Sequence, residues 1–187
     1  HARIYSELKA VNSLIVYDTN RRAAKEMERL QGATACRSVE DLLSRSDAVS
    51  LCVPTQFHFP VARQAIAAEV HALIEKPICS TAAEGRALLP AIPDDLVVGV
   101  GHIERFNPVI PEIRKIIRKP LYMEMKRHNP ASIRMTGTSV VDDLMIHDID
   151  IALHAFFHGR PSSLVSAGND DVASALMQWG ETPVYLS

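Results

Sequence analysis

Four short apolar runs constrain this sequence more than any other feature, because the first three are each followed by a helical pattern. The runs are residues 14–17, 48–53, 70–74 and 96–100. Apolar side chains fill each run continuously rather than at alternate positions, which is typical of strands covered on both faces. The runs recur at about the spacing of a strand–helix–strand unit, roughly 30 residues. The first part of the chain therefore predicts a Rossmann-like, doubly wound parallel sheet of the α/β class.

Helix start signals support this pattern. Thr81 and Glu84 are spaced as a capping box, and Ser38 with Asp41 forms a poorer version of the same motif. Pro60 suits the first turn of a helix, where its missing N–H has no partner to lose. We therefore expect helices over residues 20–30, from about residue 60, and over residues 81–89.

After residue 102 the pattern changes to that of a second unit. It predicts helices over residues 108–117 and 142–157, and strands over 121–126, 163–167, 172–177 and 183–187. Polar turns between the last three strands favour antiparallel pairing. We therefore expect a Rossmann domain at residues 1–103 and a partial α+β domain with a mostly antiparallel open sheet at residues 104–187. Both ends look interrupted, since the first residues predict a helix without a start signal and the last an unfinished strand. We expect a piece of a longer chain.

Composition excludes several classes of protein. Among 187 residues, 20 Lys and Arg stand against 22 Asp and Glu, and a formal charge of −2 argues against nucleic acid as a partner. No apolar run approaches the roughly 18 residues that cross a bilayer, and no signal peptide is visible, so we expect no membrane partner. Three cysteines without a CxxC spacing favour a reducing, cytoplasmic setting.

Asp18 follows the first apolar run and precedes a helix. In a dinucleotide-binding fold, an acidic residue at this point accepts hydrogen bonds from the adenosine ribose, about 20 residues after a glycine-rich loop. Gly99 and Gly101 do not supply that loop, because no third glycine follows them and they end a late strand. The loop would have to precede His1. Helix capping is the alternative role for Asp18.

Glu75, Lys76 and Pro77 follow the third apolar run. Ligands of parallel sheets bind at the carboxyl ends of the strands, which is where this tripeptide falls. A solvated loop charge is the alternative role for Lys76. Pro77 favours the first interpretation, because it restricts the backbone next to the lysine.

Polar residues follow one face of the predicted helix at 142–157. Asp143, His147, Asp150 and His154 are spaced four, three and four apart. A histidine beside a carboxylate can transfer protons near neutral pH, which predicts acid–base chemistry. The same spacing, with His158, could hold a metal ion, and a solvated polar face is the third alternative.

The junction between the two units, residues 101–108, is rich in polar groups. It contains His102, Glu104, Arg105 and Asn107. Clefts between domains favour ligand binding, so these residues are candidates for substrate contacts. A linker rich in helix-capping residues is the alternative.

These motifs together resemble the Gfo/Idh/MocA family of NAD(P)-dependent oxidoreductases. The resemblance is carried by residues 47–55 (Asp-Ala-Val-Ser-Leu-Cys-Val-Pro-Thr), by Glu75-Lys76-Pro77, and by Asp143, His147 and Asp150 in that order and spacing. It extends over nearly all of the chain. Within the family, residues 101–108 and 146–150 are most similar to the UDP-N-acetylglucosamine 3-dehydrogenase branch. One departure is Ser139, which stands where the second motif often has glycine.

The resemblance implies hydride transfer between NAD and a sugar or nucleotide-sugar hydroxyl carbon. It implies catalytic roles for Lys76, Asp143 and His147, cofactor contacts by Asp18, Arg21, Pro54, Thr55, His58, Glu75 and Lys76, and substrate contacts by His102, Glu104, Arg105, Arg127 and Arg134. The three arginines are candidates for a substrate diphosphate, since a guanidinium fork suits phosphate oxygens. The carboxylate of Asp18 favours NAD over NADP, whereas nearby arginines keep NADP open. No metal is expected.

The resemblance also implies a homodimer or homotetramer, and a cis peptide bond between Lys76 and Pro77. Two other functions remain as alternatives at this point. One is a metal-dependent hydrolase that uses His147, Asp150 and His154. The other is a non-catalytic binding protein with the same fold.

Overall fold

The computed structural model describes residues 1–129 and 138–187. They divide into two compact units, His1–Val100 and Gly101–Ser187. The sequence pattern placed the boundary after residue 103, and the domain limits as such remain our proposal. Among the described residues, no helix combines the length and apolar character that a membrane crossing needs.

The first unit alternates helices with short strands. Its elements are α1 (Ala2–Glu7), β1 (Ile15–Val16), α2 (Arg21–Gln31), β2 (Thr34–Ala35), α3 (Val39–Leu43), β3 (Ala48–Leu51), α4 (His58–Ala67), β4 (His71–Ile74), α5 (Ala82–Leu88) and β5 (Val98–Val100). β1 pairs with β2, and a second sheet has the order β3-β4-β5. All these pairings are parallel, which confirms the predicted Rossmann-like class. The pattern did not predict β2, because its two residues, Thr34 and Ala35, do not form an apolar run.

Helix ends in this unit follow the expected chemistry. The Thr81 side chain accepts a hydrogen bond from the Glu84 N–H, and Glu84 accepts one in return from the Thr81 N–H, so the capping box is present. The Ser38 hydroxyl likewise accepts from the Asp41 N–H at the start of α3. α4 begins at His58, so Pro60 lies in its first turn, as expected. There the N–H groups have no helical acceptor, so proline costs no hydrogen bond.

Small side chains place α4 close to the sheet. Ala62 and Ala65 of α4, Ile74 of β4 and Leu88 of α5 are fully buried in one apolar cluster. This cluster lies beneath the carboxyl ends of β3 and β4. The polar residues that follow those strands therefore extend from a packed base, which keeps their positions reproducible.

The second unit combines one long helical segment with a sheet. After a short 3₁₀ turn at Ile103–Phe106 come α6 (Val109–Ile116), β6 (Met123–Met125), α7 (Ile146–Ile151), β7 (Ser163–Gly168), β8 (Ala173–Trp179) and β9 (Thr182–Leu186). π-helical turns at Val141–Met145 and Ala152–Phe157 extend α7 at both ends, so residues 141–157 are continuously helical.

The sheet of the second unit is mixed, with the order β6-β9-β8-β7. The pairs β7–β8 and β8–β9 are antiparallel, as expected, whereas β6–β9 is parallel. β6 and β9 are separated along the chain by the helical segment, and a long crossover of this kind permits parallel pairing. Sequence periodicity does not report such a pairing, because it shows which residues form a strand and not which strand lies beside it.

Alternate residues of β8 and β9 form the core of the second unit. Ala175, Met177, Val184 and Leu186 are buried with Met145 of the helical segment. The intervening residues are less buried, and Leu176 among them is exposed. This alternation is the period of two that a sheet with one covered face requires.

Candidate active site

Asp18 lies just beyond β1 and lines a pocket of about 500 Å³. Its Oδ1 accepts a hydrogen bond from the Asn20 N–H at 2.7 Å, which fixes the carboxylate at the start of α2. Arg21, Lys25 and Arg37 line the same pocket. The pocket thus offers two carboxylates, Asp18 and Glu28, among three cationic side chains, and Glu28 accepts from the Ala35 N–H. An acceptor of this kind suits ribose hydroxyls, and the cations suit phosphate oxygens.

Glu75 and Lys76 directly follow β4. The Glu75 N–H donates to the Leu51 carbonyl at 3.1 Å, so the backbone stays aligned with β3 one residue beyond the paired strand. The Oε1 of Glu75 lies 2.8 Å from Nε2 of His1. The Lys76 side chain is half-buried, and the Lys76–Pro77 peptide bond is cis, as expected. The sequence therefore placed this tripeptide correctly at the carboxyl edge of the sheet.

His58, the first residue of α4, lies inside the protein rather than at its surface. The residue is 1% exposed. Its Nδ1 is 2.7 Å from the Pro77 carbonyl oxygen, and its Nε2 is 2.8 Å from the Val53 carbonyl oxygen. Pro54, by contrast, is exposed, and Thr55 is half-buried. Pro54, Thr55 and His58 were all expected to lie beside the cofactor. Both ring nitrogens of His58 instead contact backbone carbonyl oxygens.

In the second unit, His147 and Asp143 lie on the helical segment at 141–157. His147 is buried in α7, and Asp143 is half-buried in the preceding π turn. The Ser139 hydroxyl accepts from the Asp142 N–H and donates to the Asp142 carboxylate at 2.9 Å. Ser139 therefore caps this segment, a role that glycine at the same position could not fill. π turns of this kind occur frequently at functional sites.

Arg105 and Asp150 form a two-bonded ion pair. The guanidinium donates from Nε to Oδ2 at 2.7 Å and from Nη2 to Oδ1 at 2.6 Å. Hydrogen bonding to Asp150 raises the pKa of Arg105 further above its ordinary value, against the lowering effect of burial. Asp150 is 5% exposed, whereas the Arg105 side chain is 41% exposed. The carboxylate thus holds one edge of the guanidinium, and Nη1 takes no part in these two bonds.

Arg127 is held in the same way by Asp148. Its Nη2 donates to Oδ1 at 2.8 Å and its Nε lies 3.2 Å from Oδ2. The hydrogen bond to Asp148 raises the pKa of Arg127, again against desolvation. Asp148 is a residue that sequence reasoning missed, because it lies off the stripe of Asp143 and His147. Its pairing with an arginine 21 residues away leaves no local signal.

The remaining residues expected to contact substrate surround the 3₁₀ turn. Glu104 accepts from the Asn107 side chain at 3.1 Å. His102 is mostly buried, with Nδ1 3.9 Å from the Asp150 carboxylate. Arg134 lies outside the described residues. The structure therefore places Arg105 and His102 around the same buried aspartate.

The geometry gives no support to the metal-site alternative. Across residues 1–129 and 138–187, no group of three or more His, Cys, Asp or Glu side chains could hold a metal ion. Both oxygens of Asp150 bond to Arg105, and His154 is exposed, with its Nε2 3.7 Å from Asp150. The four residues of the stripe therefore have different environments. Asp150 serves an ion pair, which the spacing alone did not predict.

Lys76 belongs to the first unit, and Asp143 and His147 belong to the second. The catalytic roles that the resemblance implies require all three side chains to reach one substrate, and this stays a prediction.

Comparison with known proteins gives concordant results. Residues 1–102 match the family model described as an oxidoreductase family with an NAD-binding Rossmann fold. The chain is 38% identical over 155 residues to a UDP-N-acetylglucosamine 3-dehydrogenase of Acidithiobacillus ferrooxidans, a match that covers 82% of this chain and 49% of that protein. It is 30% identical over 149 residues to an inositol 2-dehydrogenase of Corynebacterium glutamicum, covering 74% and 44%. The chain thus spans about half the length of the curated relatives it matches.

A solved structure of the Acidithiobacillus ferrooxidans UDP-N-acetylglucosamine 3-dehydrogenase is similar over 100% of this chain and 63% of its own. The TM-score is 0.89 and the sequence identity 34%. Three observations indicate the same family: the parallel sheet, the tripeptide after β4 and the matched family model. The chain belongs to the Gfo/Idh/MocA family of NAD-binding oxidoreductases.

Proposed function

We propose that this chain forms part of an NAD-dependent dehydrogenase that oxidises a secondary hydroxyl of a sugar or nucleotide sugar. One observation carries the proposal. In an NAD-binding family, a half-buried lysine, Lys76, follows β4 directly at the carboxyl edge of the parallel sheet. That edge is where ligands of such sheets bind.

The residues around Asp18 fit the adenosine half of the cofactor. Asp18 has one oxygen held by the backbone, and Oδ2 makes no hydrogen bond to a described residue, so it can accept from a ribose hydroxyl. Pro54, Thr55, Glu75 and Lys76 would line the nicotinamide half. Bound NAD supplies the hydride acceptor for the reaction. We propose NAD rather than NADP, because a 2′-phosphate would meet the Asp18 carboxylate, although Arg21 reduces that repulsion.

The chain's own residues would move the proton. As the substrate carbon loses hydride, its hydroxyl must lose a proton, and a ring nitrogen of His147 would accept it. The product is a ketone, with one proton left on the enzyme. Asp143 would orient His147, and Lys76 would assist through its ammonium group near the reacting oxygen. Histidine titrates close to neutral pH, which suits a general base that must later release its proton.

A nucleotide sugar, with reaction at C3 of UDP-N-acetylglucosamine, is the substrate that we propose. A relative with that name is 38% identical to this chain. Arg105 and Arg127 are each held by a buried aspartate through Nε and Nη2. Such fixed guanidinium groups lose little rotational freedom on binding an anion, which favours a diphosphate at the edge each aspartate does not occupy. We also propose a homodimer or homotetramer, which light scattering would test.

The experiment measures NADH absorbance when the full-length protein is mixed with NAD and UDP-N-acetylglucosamine. A separate assay replaces the nucleotide sugar with myo-inositol for comparison. Lys76→Ala and His147→Ala should each lower turnover by on the order of 10²-fold or more, the usual scale for a positioned acid or base. NAD binding should change much less. His154→Ala is the matched control, because it removes an exposed histidine from the same helical segment. Near-normal turnover in both test variants would overturn the assignment.

A further inference from the structure

The ring of His58 bridges two backbone segments at the carboxyl edge of the first unit. Nδ1 is 2.7 Å from the Pro77 carbonyl oxygen and Nε2 is 2.8 Å from the Val53 carbonyl oxygen. One segment leads from β3 into Pro54 and Thr55. The other leads from β4 through Glu75 and Lys76. We call the ring with these two carbonyls the His58 bridge.

The chemistry of the bridge is demanding. A carbonyl oxygen only accepts, so the ring must be the donor in the bridge. At 1% exposure, no water is available to replace a lost bond. A buried carbonyl without a partner is costly, so both segments are held only while the ring is present.

We propose that His58 is a positioning residue of the dehydrogenase, one that holds the segment of Pro54 and Thr55 against the segment of Glu75 and Lys76. This inference rests on the proposed function and assigns His58 a task different from the cofactor contact that the sequence suggested. The buried ring does not touch the cofactor itself. It fixes the separation of the two segments that would line the nicotinamide half.

If His58 served only to stabilise the fold, its loss should destabilise the whole first unit. The position of the bridge argues against such a role. The apolar cluster of α4, β4 and α5 is packed from aliphatic side chains. The His58 bonds lie instead at the loops that follow β3 and β4. Loops held by few bonds open locally before the core does, so loss of the bridge should loosen these loops first.

His71 offers a matched control. It also bonds to the backbone, since its Nδ1 accepts from the Val97 N–H at 3.0 Å. It stands at the first residue of β4, however, and therefore at the opposite end of the strand from Glu75. Loss of His71 removes an exposed histidine–backbone hydrogen bond of the same unit without touching the cofactor edge.

The experiment compares His58→Phe and His58→Gln with His71→Phe in the full-length protein. Phenylalanine keeps the ring volume without donors, and glutamine retains one donor if phenylalanine does not fold. The KM for NAD should rise about tenfold in His58→Phe, the fold-change expected when hydrogen bonds of modest net strength are lost. The KM for the sugar should change little. His58→Gln should fall between the wild type and His58→Phe, and His71→Phe should leave both KM values unchanged.

Amide hydrogen exchange without any substrate separates this proposal from the proposed function. In His58→Phe, the amides of residues 55–56, 75–76 and 78–79 should exchange faster while those of α5 stay protected. If the wild-type protein neither binds nor reduces NAD, the proposed function fails. Amide hydrogen exchange then tests on its own whether the His58 bridge holds the two segments. The proposal would be overturned if exchange at both segments were unchanged in His58→Phe, or if His71→Phe raised the exchange rates there equally.

Discussion

The Arg105–Asp150 pair predicts that its two members contribute unequally to stability. The Asp150 carboxylate is 5% exposed, and the Arg105 side chain is 41% exposed. Arg105→Met leaves a buried charge without its main partner, whereas Asp150→Asn leaves a guanidinium that water can reach. We therefore expect the arginine substitution to destabilise the second unit more.

The magnitude follows from the environment of the carboxylate. Removing one partner of a fully buried pair costs about 3–5 kcal/mol. Two features reduce this figure: the half-exposed Arg105 is partly screened by water, and His102 and His154 lie 3.9 and 3.7 Å from the Asp150 oxygen. We expect about 2–3 kcal/mol for Arg105→Met and about 1 kcal/mol for Asp150→Asn, which retains one hydrogen bond to the guanidinium.

Urea unfolding monitored by the fluorescence of Trp179 measures these effects. Trp179 in β8 stacks on Phe157 with ring centroids 4.8 Å apart, so its emission reports packing in the second unit. Lys115→Met is the matched control, because Lys115 and Glu112 also form a 2.6 Å pair but are 69% and 66% exposed. It should change the free energy of unfolding by no more than about 0.5 kcal/mol.

The double variant of Arg105→Met and Asp150→Asn should be more stable than Arg105→Met alone, since the carboxylate that lost its main partner is no longer charged. If Asp150→Asn costs as much as Arg105→Met, or if the double variant gains nothing, the reasoning from unequal exposure is wrong.

Three further predictions concern the first unit. Asp18→Ala should raise the KM for NAD about tenfold and improve the ratio of NADP to NAD use, measured by NADH and NADPH formation, because a charged acceptor is lost. Partial desolvation of the sulfur, reinforced by the Glu75 carboxylate, raises the pKa of the Cys52 thiol. Cys52 should therefore react with iodoacetamide more slowly than a free cysteine at neutral pH, and Glu75→Gln should speed the reaction; mass spectrometry that finds no difference would contradict this. Thr81→Ala should lower the free energy of unfolding by about 1 kcal/mol, as loss of a helix cap does, and a Ser substitution should restore it in thermal melts.

Local chemistry explains why much of the first unit could be predicted. Continuous apolar runs define β3 and β4, and the capping box at Thr81 fixes the start of α5. These signals depend on neighbours a few residues apart, so they are present in the sequence itself. The position of Glu75 and Lys76 at the carboxyl edge follows, because parallel strands bring their ends to one edge.

The second unit shows where this reasoning ends. The helix around His147 was predictable, but its π turns and its cap by Ser139 were not, because they depend on how the segment packs. The parallel pairing of β6 with β9 joins residues about sixty positions apart in sequence. Periodicity shows that both segments are strands and gives no information on which strand lies beside which.

The sequence by itself thus determined the order of strands and helices, except for β2, and most of the residues that could carry chemistry. Only the tertiary structure decided what each of those residues does: Asp150 holds Arg105 instead of acting on a substrate, Asp148 holds Arg127, and His58 lies between two backbone carbonyls. The physical reason is that hydrogen bonds and ion pairs act over about 3 Å in space regardless of chain separation, so partners far apart along the chain are selected only when the fold brings them together.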